Sequence, residues 1–420
     1  MKVFKFGGAS VKDAQGLKNL VHIVQSQGLS NQLLIVVSAM GRSTNAFEDI
    51  LEKFWQKGDY QLLIDALYNY HQKILKTVFP AEDEAIHTIL QSYFNQISQK
   101  LQSFGDDSNY DLVYDQIVSF GELISTQIVH YALQTAGLSC YWLDARECIK
   151  TDATFREGRI DWNHTQSLIE EKVKNILSTQ IVVTQGFIGC TSEELTTTLG
   201  REGSDFSGSI FAACLAAESL TIWKDVPGVL NADPKKVPNA ELFKKLSYQE
   251  ASEMTYYGAS VIHPKTIAPL KLANIPLYVR SFLSPEQAGT CISQESSPQV
   301  LPTIIFKNQQ ILVHFEPLKF NYLREDEVAQ ILKACAEVSL KVNLLLKTAF
   351  RVSICSDKRL ERIDKLKNIL GEHFDISYEL DKQLITFRKA DEITEKRIIF
   401  HRRLWIEIRQ PEIYQVVVSE

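Results

Sequence analysis

The sequence predicts an α/β protein: a largely parallel sheet sandwiched by helices, followed by a smaller α+β region of ferredoxin-like order. Three observations carry this. Residues 2–38 read strand, glycine turn, helix, strand. Strands and helices go on alternating to about residue 290, as in a βαβ architecture. Beyond the Ser/Pro-rich stretch 293–302 (SQESSPQVLP) the order becomes β-α-β-β-α-β, which is that of a ferredoxin-like domain.

The elements follow from local patterning. Residues 2–6 are short and apolar, and Gly7-Gly8 breaks them. Leu17, Leu20, Val21 and Val24 then recur at helical spacing over 11–26. QLLIVVS at 32–38 is a continuous apolar run, expected of a strand buried on both faces. The right-handed crossover rule makes the two strands parallel. From 47 to about 103, Leu, Ile, Phe and Tyr recur every three or four residues with charges between. That pattern predicts two or three amphipathic helices forming a lid or side wall. Residues 139–143, 181–184, 220–223 and 276–279 read as strands, and 205–217 as a helix. Past the boundary, strands are expected at 311–315, 342–347, 351–355, 376–380 and 384–388, with helices at 325–338 and 359–373. The division expected is therefore 1–295 and 300–420, the latter as one or two interlocked copies.

The 420 residues are 45% hydrophobic and 23% charged, a globular composition that excludes a disordered or collagen-like chain. A formal charge of −6 carries no basic excess that would mark a nucleic-acid partner. The seven cysteines are scattered and form no CxxC pair, which argues against a zinc site or a disulfide framework. MKVFKFGGAS lacks the apolar core of a secretory signal. No run of ~18 apolar residues suggests a membrane span. The cytoplasm is the expected location.

Chemistry concentrates in loops at strand ends. Lys5-Phe6-Gly7-Gly8-Ala9-Ser10 places a cation beside amides that approach an oxyanion closely, although the P-loop spacing is absent. Thr198-Leu199-Gly200-Arg201-Glu202-Gly203-Ser204-Asp205 opens an apolar helix with small residues, exposing its first amides. Arg201 supplies a planar fork for a carboxylate or phosphate, and Asp205 either caps the helix or works at the site. Val37 to Asn45 (VSAMGRSTN) ends another strand in small and hydroxyl-bearing residues, and Ser119-Phe120-Gly121-Glu122 reads as a turn presenting one carboxylate. Trp223-Lys224-Asp225-Val226-Pro227-Gly228, continuing to Asp233-Pro234-Lys235, ends a strand where open α/β sheets place ligands.

In order and spacing these segments, with Gly258-Ala259-Ser260-Val261-Ile262-His263-Pro264, resemble the aspartate kinases of the amino acid kinase superfamily over roughly residues 1–290. The resemblance implies phosphorylation of the side-chain carboxylate of L-aspartate by MgATP, giving 4-phospho-L-aspartate on the route to lysine, threonine and methionine. It implies that Lys5 bridges the transferring phosphoryl oxygens and that Asp205 organises the catalytic centre. Arg201 would grip the substrate α-carboxylate and Glu122 would face its ammonium, with Ser38, Thr44 and Asn45 nearby. ATP would lie along Lys5, Gly7, Gly8, Ser10, Gly203, Ser204, Lys224, Asp225, Leu230 and Lys235. Mg2+ would be held mostly by ATP oxygens and water, with no protein ligand named.

Four positions depart from the family pattern. Ala9 replaces a common Thr, Glu202 stands where Gly is usual, and Lys224 replaces a Thr. Ser260 stands where a nucleotide-contacting Lys is frequent, and Lys265, five residues on, is an alternative cation. Glu202 brings a negative charge into an anion cradle, so its carboxylate must point away or pair with a cation. Lys224 is positioned in sequence to be that cation. The C-terminal ~120 residues resemble, more weakly, ACT domains, which sense lysine or threonine and associate into dimers. The stretch 316–324 here has no glycine and several bulky residues, so sensing and purely structural dimerisation both stay open. An additional dehydrogenase domain is not expected within these 420 residues. The alternatives are a glutamate or acetylglutamate kinase, disfavoured by the paired SxGE and GR-x-GSD segments and by the ACT-like tail. A catalytically silent amino-acid sensor is disfavoured because Lys5, Glu122, Arg201 and Asp205 are all kept.

Overall fold

A computed structural model describes residues 1–27, 32–79, 84–105, 107–259, 262–295, 301–319 and 321–419. The chain divides into two units, Met1–Val229 with Lys244–Ser252 and Val261–Ser297, and Leu230–Phe243 with Glu253–Ser260 and Pro298–Glu420.

The first unit is built on strands β1 (Lys2–Phe6), β2 (Leu33–Val37), β3 (Cys140–Leu143), β4 (Ile181–Gln185), β5 (Ile188–Cys190), β6 (Thr196–Thr198), β7 (Ser219–Lys224), β8 (Lys245–Ser247), β9 (Leu277–Ser281) and β10 (Thr290–Ser293). Eight of them form one sheet in the order β3-β4-β2-β1-β7-β9-β10-β8. The six from β3 to β9 run parallel, and β10 reverses against β9. All five residues of β2 are buried, as the unbroken apolar run required. Lys5 pairs with Val36 on one side and Ile222 on the other, so the loops after β1, β2 and β7 share the carboxyl edge of the sheet. That is where an open parallel sheet builds its binding crevice.

Helices flank this sheet: α1 (Ala14–Gln27), α2 (Ser43–Trp55), α3 (Gln61–Val78), α4 (Glu84–Ser103), α5 (Tyr110–Val118), α6 (Phe120–Thr135), α7 (Trp162–Leu177) and α8 (Gly203–Cys214). The amphipathic stretch resolves into α2, α3 and α4, whose buried stripes include Phe47, Ile50 and Leu51, then Ile64, Leu67 and Leu75, then Leu90, Phe94 and Ile97. The 119–122 segment is not a turn. Phe120, Gly121 and Glu122 form the first turn of α6, in which most residues are buried. The amphipathic signal is weak in a helix buried nearly all round, and the Gly reads locally as a breaker.

The second unit is a six-stranded antiparallel sheet from Thr303–Pro317, Val342–Lys347, Val352–Asp357, Phe374–Arg388, Leu404–Arg409 and Ile413–Ser419. The first four of these give a ferredoxin-like order, with helices Glu325–Glu337 and Leu360–Leu370 packed over Ile311, Val313, Phe315, Val352, Ile354 and Phe374. Two long strands depart from expectation. Phe374–Arg388 is one strand, not two, and its partner begins at Thr303 rather than near 311. Register shifts between Lys307 and Leu312 mark a bulge, and Gln309 and Asp381 adopt left-handed backbone there. A bulge breaks the alternation of apolar residues without ending the pairing, so the pattern reads as two short strands.

Candidate active site

The side chain of Lys5 leaves β1 toward α8, where a Cβ on Gly208 would lie 3.5 Å from the Lys5 Cβ. Its ammonium sits 2.5 Å from Asp205 Oδ1, and both side chains are buried. Asp205 lies in the first turn of α8. Lys224, the last residue of β7, places its Nζ 3.2 Å from Asp205 Oδ2 and 3.7 Å from Glu202 Oε2. Two ammonium groups thus converge on one carboxylate. Burial opposes charge on Asp205, yet Lys5 and Lys224 outweigh it and hold the carboxyl well below its ordinary range. Burial would lower Lys224, but Asp205 and Glu202 hold its ammonium above the ordinary value.

Glu202 is the residue before α8 and carries φ 56 in the left-handed region. A non-glycine residue there costs roughly 1–2 kcal/mol. Next to it, Gly203 and Gly186 permit close packing. A Cβ on Gly203 would meet the Phe187 ring at 2.7 Å, and one on Gly186 would meet Ser204 Cβ at 2.6 Å. Ser207 Oγ accepts from the Phe187 amide at 2.9 Å, fixing α8 against the end of β4.

The glycine turn after β1 interlocks with the loop after β2. Gly41 N–H donates to Gly8 C=O at 3.0 Å, and a Cβ on Gly8 would lie 2.6 Å from Ala39 O. Only glycine fits that approach. Ser10 Oγ reaches the Trp223 carbonyl at 3.4 Å, joining this turn to β7. Ser38 C=O accepts from Ser125 Oγ at 2.6 Å, tying the second loop to α6.

Glu122 is buried beside that loop, and the Ala39 amide donates to its carboxylate. Burial pushes its carboxyl up to about 8; the Ala39 hydrogen bond and the Lys5 charge oppose the shift. Its Oε2 is buried without a hydrogen-bond partner. A buried carboxylate oxygen left in this state is a ready acceptor for a cationic group.

Thr44 is half-buried and Asn45 exposed in the first turn of α2; Arg201 and Asp225 are exposed at loop tips. Lys5, Gly7, Gly8, Ser10, Ser38, Glu122, Gly203, Ser204, Asp205 and Lys224 gather around the carboxyl edge of β1, β2 and β7. Leu230 and Lys235 belong to the second unit. Lys265 is exposed in the first turn of helix Pro264–Leu272, and Ser260 lies outside the described residues.

Asp115 is a residue of this region that sequence reasoning missed. It is fully buried on α5, and its carboxylate accepts from the Arg156 amide at 2.8 Å and from the amide and hydroxyl of Thr198 at 2.8 and 2.7 Å. It anchors the strand from which the Gly200-Arg201 turn departs. The signal available was a lone carboxylate inside the apolar run LVYDQIV.

Among the described residues, no three His, Cys, Asp or Glu side chains gather as a metal site. Asp205 and Glu202 already face ammonium groups, so this donor set does not fit a resident metal ion. No described helix is long and apolar enough to cross a membrane.

The sequence profile of the amino acid kinase family matches residues 1–281. The chain belongs to the amino acid kinase family. Among its curated relatives, the bifunctional aspartokinase/homoserine dehydrogenase 2 of Arabidopsis thaliana is 34% identical over 302 residues, covering 70% of this chain and 32% of that protein. The chain thus spans about a third of the plant relatives it matches. Lysine-sensitive aspartokinase 3 of Escherichia coli K12 is 29% identical over 357 residues, covering 84% of this chain and 78% of the relative. In fold, this member of the family is similar to E. coli aspartokinase III crystallised with aspartate and ADP, with a TM-score of 0.83 and 24% identity over 100% of this chain and 96% of that one. The likeness to that structure takes in the second unit as well as the residues that the profile matches.

Proposed function

We propose that this chain is an aspartate kinase, transferring the γ-phosphoryl group of MgATP to the side-chain carboxylate of L-aspartate. The observation that carries the reading is the pairing of a doubly salt-bridged Asp205 with a buried, unpartnered Glu122 oxygen at one strand edge. The relatives named above, all called aspartokinases, support it.

The chemistry asks little of a general base. The β-carboxylate of aspartate ordinarily titrates at ~3.9 and is ionised at neutral pH. Two anions must instead be aligned and the charge on the passing phosphoryl group neutralised. One carboxylate oxygen attacks phosphorus while the bond to the β,γ-bridging oxygen breaks, and ADP carries away the electron pair. Lys5 offers its ammonium to the transferring oxygens, and Asp205 holds that ammonium in place. Glu122 receives the substrate ammonium, with Ser38, Thr44 and Asn45 around it, and Arg201 takes the α-carboxylate as a bidentate fork. The nucleotide runs along Gly7, Gly8, Ser10, Gly203, Ser204, Lys224 and Asp225. Magnesium arrives as part of the nucleotide, held by its oxygens and by water.

The second unit serves as an ACT-like region that dimerises the chain; its effector is lysine, to which the E. coli relative is called sensitive, or threonine, the other amino acid that the sequence resemblance implies. The expected location is the cytoplasm.

Arg201→Lys keeps the charge and loses the fork. Its Michaelis constant for aspartate should rise on the order of tenfold or more, with that for ATP nearly unchanged. Steady-state kinetics with each substrate varied in turn checks this. Equal rises for both substrates would move Arg201 to the nucleotide.

A further inference from the structure

Glu202 poses a question that the proposed reaction does not answer. It puts a carboxylate at the opening of α8, beside the amides and ammonium groups that would meet a triphosphate. It does so from a left-handed backbone position that favours glycine. Its neighbour Asp205 is a second carboxylate within the same cluster. Two carboxylates facing a polyphosphate repel it, and their repulsion is strong where burial excludes water.

Lys224 resolves the conflict. Its ammonium lies between the two carboxylates, 3.2 Å from Asp205 and 3.7 Å from Glu202. The side chain is mostly buried, at 19% exposure, while that of Glu202 is 31% exposed. With Lys5 on the other oxygen of Asp205, two ammonium groups face two carboxyl groups; burial and Asp205 push the Glu202 carboxyl up, and Lys224 opposes that shift. Removing Lys224 alone leaves two carboxyl groups against one ammonium where phosphate oxygens must come; removing Glu202 as well leaves one of each.

We infer that Lys224 is a second phosphate-binding cation for the nucleoside triphosphate, and that Glu202 is its positioning residue, the two acting as one matched unit. The inference rests on the kinase reading above and adds a specific division of labour. Before nucleotide binds, Glu202 and Asp205 hold the Lys224 ammonium at the end of β7. On binding, that ammonium turns to the phosphate chain while Lys5 stays with the transferring group. Glu202 is tolerable at an anion site only with Lys224 present.

The test is a charge cycle read by nucleotide binding without any amino acid, using a non-hydrolysable ATP analogue with magnesium and calorimetry. Lys224→Met should weaken binding on the order of tenfold or more. Glu202→Gln should change it less than about threefold. The double variant Lys224→Met/Glu202→Gln should recover part of that loss, binding more tightly than Lys224→Met and more weakly than the parent. Lys224→Arg, which keeps the charge, should bind nearly as the parent does and guards against a loss that is only of folding. A double variant as weak as Lys224→Met, or a Lys224→Met that binds normally, would overturn the pairing. Because no acceptor is present, the result does not depend on which amino acid is phosphorylated. A parent that binds nucleotide through this pair yet leaves aspartate untouched would sink the proposed reaction and keep the pair.

Discussion

Lys5→Ala should lose about 10²–10³ in turnover while the Michaelis constant for aspartate changes little. The Lys5 ammonium is nearly enclosed at the carboxyl end of the central strand, 2.5 Å from Asp205. A charge held there is pre-oriented for oxygens that gain charge during transfer, with little reorganisation by water. Its removal also leaves Asp205 with Lys224 as its remaining cation, which draws Lys224 away from the nucleotide. Some loss of ATP affinity should therefore accompany the loss of rate. Steady-state kinetics on the purified variant decides the matter, and near-normal turnover would remove Lys5 from the chemistry.

Glu122 carries the second large effect, and it appears as pH dependence. In the ligand-free protein its carboxyl is pushed up to about 8, chiefly by burial. Below that pH the group is neutral, and an ammonium substrate must first displace its proton. At saturating ATP, the Michaelis constant for aspartate should fall about tenfold per pH unit from pH 6 toward 8 and then level off. Glu122→Gln should abolish that slope and bind aspartate on the order of a hundredfold more weakly at pH 8.5, through loss of a charge-assisted contact.

The same shift has a stability consequence of fixed sign. A carboxyl raised in the folded chain contributes stability that is fully present below its unfolded value of ~4.3. That contribution is lost as pH rises through about 8. Ligand-free Glu122→Gln should therefore gain on the parent by a few kcal/mol between pH 5 and 8.5, at about 1.4 kcal/mol per pH unit across the window. Denaturant unfolding at both pH values reads this directly. A parent and variant that keep a constant stability difference across the range would place Glu122 in a wetter environment.

Much of this site could be seen in the sequence because its logic is local. Lys5-Phe6-Gly7-Gly8 and Gly200-Arg201-Glu202-Gly203-Ser204-Asp205 each combine a strand end or helix start with small residues and a charge, and those features are contiguous. The burial of QLLIVVS was equally legible, since an apolar run without alternation has no face to offer water. The match between Glu202 and Lys224 was readable as a need and a candidate, two departures from one family pattern; their 3.7 Å approach required the fold. Asp115 escaped because its partners, Arg156 and Thr198, lie 41 and 83 residues away. The long paired strands of the second unit escaped for a different reason. Left-handed residues at Gln309 and Asp381 flip the apolar phase in mid-strand, and a period-of-two reading ends each strand there.

Identification of the phosphoryl acceptor tests the proposed reaction itself. The protein is incubated with MgATP and, separately, L-aspartate, L-glutamate or N-acetyl-L-glutamate, with hydroxylamine present to trap an acyl phosphate as its hydroxamate and ADP release followed in parallel. An aspartate kinase releases ADP and yields a side-chain aspartyl hydroxamate with L-aspartate alone. Release of ADP with glutamate or acetylglutamate instead, or nucleotide binding with no hydroxamate from any of the three, would contradict that reaction.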